Sequence, residues 1–447
     1  MNAFAGEHVA VVGFGVAGRA AARVLVEEGA RVRVTEERPD VDGIDEIRDL
    51  GAEVLTGGHR LEHLDGITVV VASPGVLESA PVLRWACDRG LPIWSELDVG
   101  ARLCEVPYVA ITGTNGKSTT TKLVATMMQA AGLDAVACGN IGHPFSVAAR
   151  EGHEALAVET SSFQLRFHHW VHPRVSVLLN VAPDHLDWHG SLGGYVAAKA
   201  RVYELQRDGD AHVGNAEDDQ AAAISRAAPC RTIWFRLAEP RPGEVGYAGG
   251  EVVANVDGGF SLGRPSQQSA GFRADVAAAT AAALAFGLSA GAIAEGIRSM
   301  RPLPHRGEVV ARAGAVEFLD DSKATNVHAA LHALAGRHDV VLIAGGLSKG
   351  VDLSPLAAGA SSLTGVVAIG DAAPEIVEVF EGRVPVFRAG SIEEAVRTAH
   401  RLAPSEGTVL LAPACASWDM FSDYAERGER FAAAAREVAE EASRGAV

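Results

Sequence analysis

The chain has 447 residues, of which 48% are hydrophobic, so at about 150 residues per domain it is long enough for roughly three domains. Its formal net charge of −17 argues against nucleic acid or an anionic membrane surface as a non-specific partner, although local Lys and Arg residues can still bind an anionic substrate. No run reaches the ~18 continuous apolar residues of a membrane helix, and the N-terminus lacks the basic start and apolar core of a signal peptide. The five cysteines form no C-x-x-C pair. We therefore expect a reduced cytoplasmic protein without a zinc cluster.

The first unit, residues 1–105, alternates predicted strands and helices. Apolar runs at residues 8–12, 31–35 and 69–72 predict strands, and helix-forming segments lie between them. This alternation is typical of a doubly wound, Rossmann-like sheet, in which ligands bind at the carboxyl ends of the strands.

A G-x-G-x-x-G pattern, formed by Gly13, Gly15 and Gly18, follows the first of these strands, and Glu36 follows the second. This pattern is typical of a dinucleotide-binding turn, in which a helix N-terminus holds a diphosphate. The same glycines would also suit a tight strand-to-helix turn that binds no ligand. Residues 73–75, after the third strand, would line the same crevice.

The second unit, residues 106–301, begins with the most informative segment of the chain. An apolar run at 108–111 predicts a buried strand, and residues 121–128 have helical spacing. The segment between them reads Thr112-Gly113-Thr114-Asn115-Gly116-Lys117-Ser118-Thr119. A strand, a glycine-bearing turn that ends in Lys-Ser and a helix together predict a phosphate-binding loop for ATP with Mg²⁺. The alternative is a polar turn that caps a helix, since Ile111 replaces the first glycine of the Walker pattern.

Acidic residues and histidines after two further strands indicate metal chemistry. Glu159 ends a predicted strand at 156–159, where phosphate-loop proteins can place a Mg²⁺ ligand; the alternative is a carboxylate that caps a helix. Residues 184–189, after a predicted strand at 176–180, contain two Asp and two His. This density favours a metal or phosphate site over a loop rich in helix caps. Lys199, by contrast, resembles an ordinary solvated helix lysine.

The third unit comprises residues 302–447. Its predicted strands are at residues 316–319, 339–343, 365–369 and 408–411. Polar residues at 321–326 follow the first strand and could bind the ammonium and carboxylates of an amino acid; the alternative is an N-capped helix start. Residues 345–350 and 414–418 offer two further anion-binding turns, in which Cys415 is expected to be a small buried residue. The predicted fold class is therefore α/β with three domains: an N-terminal Rossmann-like domain, a central phosphate-loop ATPase-like domain with a mostly parallel sheet, and a C-terminal Rossmann-like domain.

Taken together, these segments resemble the Mur ligases, an ATP-dependent family that adds amino acids to the peptidoglycan precursor. The resemblance extends from Gly13 to Phe431 and rests on residues 113–119, 139–142 and 159–165, Asp184-His185, Lys199 and His305-Arg306. Within the family, residues 321–326 and 413–417 resemble the members that add D-glutamate. The resemblance therefore implies a role in cell-wall biogenesis, cell shape and cell division.

The resemblance also implies ATP and two Mg²⁺ ions as cofactors. Lys117 would contact the β- and γ-phosphates, and Ser118 and Glu159 would hold one Mg²⁺. His185 would hold the second with Lys199, whose expected carbamate turns a cation into a carboxylate-like ligand. The implied catalytic residues are Lys117, Glu159, His185 and Lys199. The implied ATP-binding residues are Gly113, Thr114, Asn115, Gly116, Lys117, Ser118, Thr119, Asp275, Arg306 and Asp321.

UDP-N-acetylmuramoyl-L-alanine, rather than NAD, would occupy the first unit. The residues implied for this substrate are Gly15, Val16, Ala17, Gly18, Glu36, Glu37, Arg38, Ser73, Pro74 and Gly75, with Asn140 and His185 near the muramyl group. The residues implied for D-glutamate are Lys323, Thr325, Lys349, Ser417, Trp418 and Tyr424. We expect a monomer with no nucleic-acid or membrane partner.

Two departures from the family pattern stand out. The family usually has an Asn on the adenine before an Ala-rich helix, whereas this chain has Asp275 at that position. A carboxylate can accept from the adenine amino group but cannot donate to the ring nitrogen beside it. Val16 and Ala17 lack a hydroxyl group, so phosphate contacts there would use the backbone.

The implied reaction forms an amide through an acyl phosphate, with the three domains closing around the substrates to exclude water. One alternative is a related ligase that adds L-glutamate or acts on folate. Another is an NAD-dependent oxidoreductase, which the phosphate loop disfavours. A catalytically silent binding protein is disfavoured because Lys117, Glu159, His185 and Lys199 are all present.

Overall fold

The computed structural model describes residues 2–256, 259–267, 269–301 and 303–445. The strands in these residues form three separate sheets of five, nine and six strands, flanked by helices, which confirms the predicted α/β class. The chain groups into two compact units. The first unit comprises Met1–Val181, Trp188–Gln268 and Phe272–Met300, and the second comprises Ala182–Asp187, Ser269–Gly271 and Arg301–Val447.

The first sheet is wholly parallel, with the order β3-β2-β1-β4-β5. Its strands are β1 (His8–Val12), β2 (Arg31–Thr35), β3 (Glu53–Leu55), β4 (Val69–Ala72) and β5 (Ile93–Trp94). Its helices are α1 (Val16–Glu27), α2 (Ile44–Asp49), α3 (Pro81–Asp88) and α4 (Glu96–Leu103), with a 3₁₀ turn at Leu61–Leu64. The strand order reverses between β1 and β4, so the loops after these two strands border the crevice where such sheets bind ligands.

The second sheet has nine strands in the order β14-β13-β12-β11-β10-β9-β6-β8-β7. The strands are β6 (Tyr108–Thr112), β7 (Ala135–Gly139), β8 (Ala155–Glu159), β9 (Val175–Leu178), β10 (Ala211–Asn215), β11 (Arg231–Phe235), β12 (Glu244–Ala248), β13 (Glu251–Ala254) and β14 (Phe260–Gly263). The pairs from β7 to β12 are parallel, and β13 and β14 add antiparallel strands at one edge. Central strand β6 is entirely buried, as expected for its run of apolar residues.

The helices that follow along the chain are mostly short. They are α5 (Lys117–Ala130), α6 (Phe145–Ala148), α7 (Ser162–Arg166), α8 (Leu186–His189), α9 (Leu192–Ala200), α10 (Asp219–Ser225), α11 (Ala270–Phe286) and α12 (Ala290–Ser299), with a 3₁₀ turn at Arg201–Tyr203. The long Ala-rich helix α11 buries most of its side chains, because small residues let it pack closely on its neighbours.

The third sheet has the order β15-β16-β20-β17-β18-β19. Its strands are β15 (Glu308–Ala313), β16 (Val316–Asp320), β17 (Val340–Gly345), β18 (Leu363–Ile369), β19 (Val386–Arg388) and β20 (Thr408–Ala414). Its helices are α13 (Val327–Leu334), α14 (Ala373–Phe380), α15 (Ile392–Leu402) and α16 (Tyr424–Gly445), with a 3₁₀ segment at Ser354–Ser362. Only β15 is antiparallel, and apolar side chains cover both faces of the sheet. Because β20 lies between β16 and β17, the loops after these three strands are neighbours.

Among the predicted element boundaries that differ from the structure, two lie beside the loop after β6. The strand predicted at 176–180 ends at Leu178, because Asn180 turns away to bond with the loop after β6. The helix predicted at 121–128 already begins at Lys117, because Gly116 turns the chain directly into the helix. Across the part of the chain that the structure describes, no helix is both long and apolar enough to cross a membrane.

Candidate functional site

The loop after β6 is shaped by its two glycines. Gly116 has a φ of 86°, in the left-handed region, and directly precedes the first turn of α5. The side chain of Asn180, which follows β9, holds the backbone of the loop at Asn115. Its Oδ1 accepts from Asn115 N at 2.8 Å, and its Nδ2 donates to Asn115 O at 3.1 Å. Ser118 and Thr119 lie in the first turn of α5, half-buried and buried respectively. The loop therefore presents a helix N-terminus of the kind that binds phosphate.

Two lysines converge on this loop. Lys117 Nζ donates to the carbonyl oxygens of Gly113 and Thr114, each at 2.9 Å. Lys199, which reaches the loop from α9, donates to the same Gly113 oxygen at 2.7 Å, and its side chain is 1% exposed. The prediction from composition that Lys199 is a solvated lysine was therefore wrong, because the packing of α9 buries it against the loop. Tyr195 braces the arrangement, with its OH 2.9 Å from Thr114 Oγ1.

Glu159 lies at the end of β8, one strand away from the loop. The register pairs it with Ile111 on β6, which places its carboxylate at the same sheet edge. Its Oε1 accepts from Asn140 Nδ2 at 3.0 Å, so the residue predicted near the muramyl group contacts the predicted metal ligand. Its Oε2 is buried and has no hydrogen-bond partner among the residues that the structure describes. A buried carboxylate oxygen without a donor is costly unless a cation occupies the position beside it.

Asp275 lies on α11 and is 8% exposed. Its Oδ1 is so close to Gly116 that a Cβ built on this glycine would collide with it. The position predicted to face the adenine therefore borders the phosphate loop itself, and a carboxylate there adds negative charge beside the helix N-terminus.

The glycine turn of the first sheet meets the loop after β4. A Cβ built on Gly13 would lie 3.0 Å from Ser73 Cβ, and one built on Gly18 would lie 3.3 Å from Ser73 Oγ. A Cβ on Gly18 would also collide with the Gly13 carbonyl, so this turn requires glycine. Val16 begins α1 and is 71% exposed, while Ala17 is half-buried. The structure thus brings together the two segments that the sequence assigned to one crevice.

Glu36 is engaged within the protein and nearly buried. Its Oε2 accepts from Phe14 N at 2.6 Å, and its Oε1 accepts from Arg38 N at 3.1 Å and Arg38 Nε at 2.9 Å. Burial alone would raise the pKa of Glu36, but these hydrogen bonds and the Arg38 charge outweigh it and lower the pKa. Glu36 therefore ties the glycine turn to the end of β2, while Glu37 and Arg38 expose their side chains beside it. Pro74 is half-buried and Gly75 exposed in the loop after β4.

The acidic and histidine-rich run at 184–189 divides between the two compact units. In the second unit, Asp184 is 4% exposed and accepts from Lys349 Nζ at 3.1 Å and Asn326 Nδ2 at 3.2 Å. His185, at a φ of 53°, donates its backbone N–H to Asp184. In the first unit, His189 bonds to Ser162 Oγ at 2.9 Å, and its burial, with the charge of Lys199, lowers its pKa to about 4. Within the described residues, no three His, Cys, Asp or Glu side chains form a ready-made metal cluster.

The second compact unit carries three polar turns at the carboxyl ends of β16, β17 and β20. We call them the amino-acid turns: residues 321–326, 346–350 and 415–418. They hold most of the residues predicted for D-glutamate. Lys323 Nζ lies 3.7 Å from the centre of the Tyr424 ring, and Thr325 is half-buried. In the third turn, Ser417 is buried, whereas the neighbouring Trp418 is 67% exposed.

Cys415 in the third turn is 1% exposed. Burial raises the pKa of its thiol to about 12, so it is protonated at neutral pH and inert as a nucleophile. This confirms the expectation of a small buried residue.

Of the residues predicted at the nucleotide from this unit, Asp321 is the first residue of the first amino-acid turn, and Arg306 lies close enough for its charge to act on Asp321. Burial raises the pKa of Asp321 to about 7, although the Arg306 charge acts in the opposite direction. Beside them, the ring Nδ1 of His305 lies 2.6 Å from an oxygen of the fully buried Asp320, whose other oxygen accepts from Ser322 N at 2.9 Å. His305 thus fixes the segment before β15 against the start of the turn.

Sequence reasoning missed Asn180, Tyr195 and Arg427, all of which support the predicted residues. Asn180 was read as the end of a strand, and Tyr195 as part of an ordinary helix. Arg427 follows the third turn in a helix rich in charge, where nothing in the local pattern separates it from solvent-exposed arginines. Only its complete burial distinguishes Arg427 from these arginines, and burial cannot be read from the local sequence.

The geometry agrees with family models that match three parts of the chain. These are the "Mur ligase MurD-like, N-terminal domain" over residues 7–95, the "Mur ligase middle domain" over residues 111–249, and the "Mur ligase, glutamate ligase domain" over residues 305–415. Solved structures share the overall fold. A MurF structure from Acinetobacter baumannii has a TM-score of 0.62 at 18% identity, covering 97% of this chain and 91% of that one. A pseudomurein peptide ligase type C from Methanothermus fervidus has a TM-score of 0.61 at 20% identity, covering 97% and 99%.

Curated relatives match over nearly their whole lengths. A Frankia casuarinae protein is 43% identical over 460 residues, covering 97% of this chain and 94% of that protein. A Streptomyces avermitilis protein is 39% identical over 470 residues, covering 98% and 99%. This chain belongs to the Mur ligase family. Both of these relatives are named "UDP-N-acetylmuramoylalanine--D-glutamate ligase".

Proposed function

We propose that this protein is an ATP-dependent ligase that joins D-glutamate to UDP-N-acetylmuramoyl-L-alanine in the synthesis of the peptidoglycan precursor. The name shared by the curated relatives supports this substrate pair. The observation that carries the proposal is the convergence of Lys117 and Lys199 on the Gly113 carbonyl, beside the buried Glu159 carboxylate. The Lys117 ammonium and the Glu159 carboxylate at the end of a phosphate loop suit phosphoryl transfer to a carboxylate, and Lys199 lies at the same loop.

The reaction proceeds in two steps. A carboxylate oxygen of the alanyl residue attacks the γ-phosphorus of ATP. The bond between the γ-phosphorus and the oxygen that bridges it to the β-phosphate breaks. ADP departs as the leaving group, and the alanyl carboxylate has become an acyl phosphate. The neutral amine of D-glutamate then attacks the acyl carbon, the carbon–oxygen bond to phosphate breaks, and the amine releases one proton. Lys117 neutralises the transferring phosphoryl group, and exclusion of water protects the acyl phosphate from hydrolysis.

The residues present fit a divalent cation, because Glu159 Oε2 is a buried oxygen without a hydrogen-bond donor among the described residues. We propose Ser118 and Glu159 as ligands of one Mg²⁺, and His185 with a carbamate on Lys199 as ligands of a second. Mg²⁺ would supply charge neutralisation for the phosphates. The carbamate forms when the neutral Lys199 amine adds to CO₂ and releases one proton to solvent, which gives the oxygen ligand that an amine lacks.

The remaining roles follow the predicted assignments. We propose that the glycine turn, Glu36 to Arg38 and the loop after β4 bind the UDP group through backbone donors, with Asn140 near the muramyl group. The amino-acid turns and Tyr424 would bind D-glutamate, and Arg306 and Asp321 the nucleotide. We propose domain boundaries at 1–105, 106–301 and 302–447, and a cytoplasmic monomer.

A coupled assay of phosphate release tests the proposal. Phosphate should appear only when ATP, UDP-N-acetylmuramoyl-L-alanine and D-glutamate are all present, and mass spectrometry should detect the amide product. Parallel assays with L-glutamate and with a folate substrate separate the related ligases, since preference for either would replace the proposed substrate pair. Absence of phosphate release with all three substrates would refute the function.

A further inference from the structure

Arg427, on α16, is the largest side chain that is fully buried in the described part of the chain. Its guanidinium donates to four oxygen atoms. Nε reaches Ser322 Oγ at 3.0 Å and Nη2 reaches Ser322 O at 2.8 Å. Nη1 is shared between the carbonyl oxygens of Cys415 at 3.2 Å and Ala416 at 3.3 Å. One side chain therefore joins the first and third amino-acid turns.

The same three turns are also joined through their backbones. Ala414 N donates to Ala324 O at 2.8 Å, which links the end of β20 to the first turn. Leu347 and Ala416 exchange hydrogen bonds at 2.9 and 3.0 Å, which links the second turn to the third. A Cβ built on Gly346 would lie 3.3 Å from Arg427 Nη1, so the guanidinium lies beside the second turn as well.

The third turn needs such support. Ala414, at its start, has a φ of 62°, in the left-handed region that is strained for a residue with a Cβ. The carbonyl oxygens of the next two residues, Cys415 and Ala416, both accept from Arg427 Nη1, and that of Ala416 also accepts from Leu347 N. By holding the Cys415 carbonyl and sharing the Ala416 carbonyl, Arg427 fixes the direction in which the chain leaves the turn towards Ser417 and Trp418.

Arginine is chemically suited to this position. Its planar fork offers five N–H donors in fixed directions, so it can span acceptors on two separate segments. Lysine has three donors on one nitrogen and cannot reach Ser322 and Cys415 with the same geometry. Burial lowers the pKa of Arg427 to about 10, which still leaves it charged at neutral pH. Its four hydrogen-bond partners are neutral oxygens, and the charges of Asp320 and Asp419 offset part of the cost of burying the cation.

We propose that Arg427 is a positioning residue for D-glutamate: it does not touch the amino acid, but holds the first and third amino-acid turns at the separation that D-glutamate binding requires. This inference rests on the proposed function, because it assumes that these turns bind D-glutamate. A variant of Arg427 should therefore bind D-glutamate more weakly and bind the other substrates normally. A general loss of folding would instead affect all substrates.

The test is the Arg427→Lys variant, assayed in the full-length protein. We expect the KM for D-glutamate to rise about tenfold or more, with kcat and the KM for UDP-N-acetylmuramoyl-L-alanine changed by about twofold at most. Arg430→Lys is the matched control, because Arg430 lies one turn further along α16 in an exposed ion pair with Glu393. It should leave every constant unchanged.

Ser322→Ala provides a second variant with a smaller perturbation, because it removes only the hydroxyl that accepts from Arg427 Nε and donates to Tyr424 O at 2.7 Å. It should raise the KM for D-glutamate about threefold. If Arg427→Lys is too unstable to assay, the KM of Ser322→Ala for D-glutamate tests the positioning role on its own. An unchanged KM for D-glutamate in a folded variant, or equal losses for all substrates, would overturn the positioning role. A wild-type protein without D-glutamate-dependent phosphate release would instead refute the proposed function.

Discussion

Lys199 Nζ lies 2.7 Å from the carbonyl oxygen of Gly113, so a lysine from α9 contacts the phosphate loop at the residue that Lys117 also contacts. The proposed mechanism needs this lysine at the transferring phosphate, whether as an amine or as a carbamate. Lys199→Ala should therefore lower kcat at least about 100-fold. Lys122→Ala, an exposed lysine on α5, is the control and should retain wild-type activity.

The carbamate itself has a separate readout. Protein equilibrated with ¹³C-labelled bicarbonate should show a carbamate carbon signal that disappears in Lys199→Ala. Retained turnover in the variant would remove Lys199 from the mechanism. A wild-type protein without the signal would remove only the carbamate.

Gly116 and Gly132 provide a matched pair at the two ends of α5. Their φ values are 86° and 87°, so alanine at either position costs about 1 kcal/mol in backbone strain. At Gly132 no described atom lies within 4 Å of the added Cβ, whereas at Gly116 the Cβ collides with Asp275. Gly116→Ala should therefore cost a further ~1–3 kcal/mol.

Thermal unfolding measures the difference. We expect Gly132→Ala to lower the melting temperature by about 2–4 °C and Gly116→Ala to lower it further. Gly116→Ala should also raise the KM for ATP, and adding Asp275→Gly should recover part of the stability. Equal melting temperatures for the two single variants would show that Asp275 moves aside without cost.

Asp275 also leads to a prediction about ATP affinity. Its carboxylate lies against Gly116, at the helix N-terminus proposed to bind the phosphates, so its negative charge opposes that of ATP. Asp275→Asn keeps the size and removes the charge, and it should lower the KM for ATP about threefold or more. The exposed Asp219 lies in the same compact unit, and Asp219→Asn is the control. A KM for ATP that stays constant would contradict the repulsion, and one that rises would mean that the carboxylate contributes to nucleotide binding.

The sequence predicted those parts of the fold that depend on neighbouring residues, such as strands of apolar residues and turns that require glycine. Buried apolar runs marked β1, β4, β6, β17 and β20 among the central strands, and Gly13 and Gly18 marked a turn that excludes a Cβ. The chemistry-bearing loops were predictable because they follow strands, and parallel strands bring their carboxyl ends to one edge. The edge strands β3, β5, β15 and β19 were missed, since their short or exposed runs give little periodic signal. Strands β7, β10 and β11 of the second sheet were missed as well.

What depends on long-range packing could not be predicted. Burial of Lys199 and Arg427 comes from elements far apart in sequence, and a local window gives both residues a polar, solvent-exposed appearance. The division of the 184–189 run between compact units has the same origin. Asp184 pairs with Lys349, a contact across 165 positions that no spacing rule indicates.

Asp321 should make the stability of the protein depend on pH. Burial raises its pKa from 3.8 to about 7, so the folded state holds a proton that the unfolded state releases. The contribution of this residue is therefore fully favourable below about pH 4 and is lost as the pH rises towards 7, because ionisation is then easier in the unfolded chain. Asp321→Asn removes the ionisable group and should raise the melting temperature at pH 8 by about 2 °C or more. At pH 5 the gain should be smaller, since Asp321 is then mostly protonated in the folded protein. Asp371→Asn, an exposed position in the same compact unit, controls for general charge effects, and an equal gain at both pH values would contradict the raised pKa.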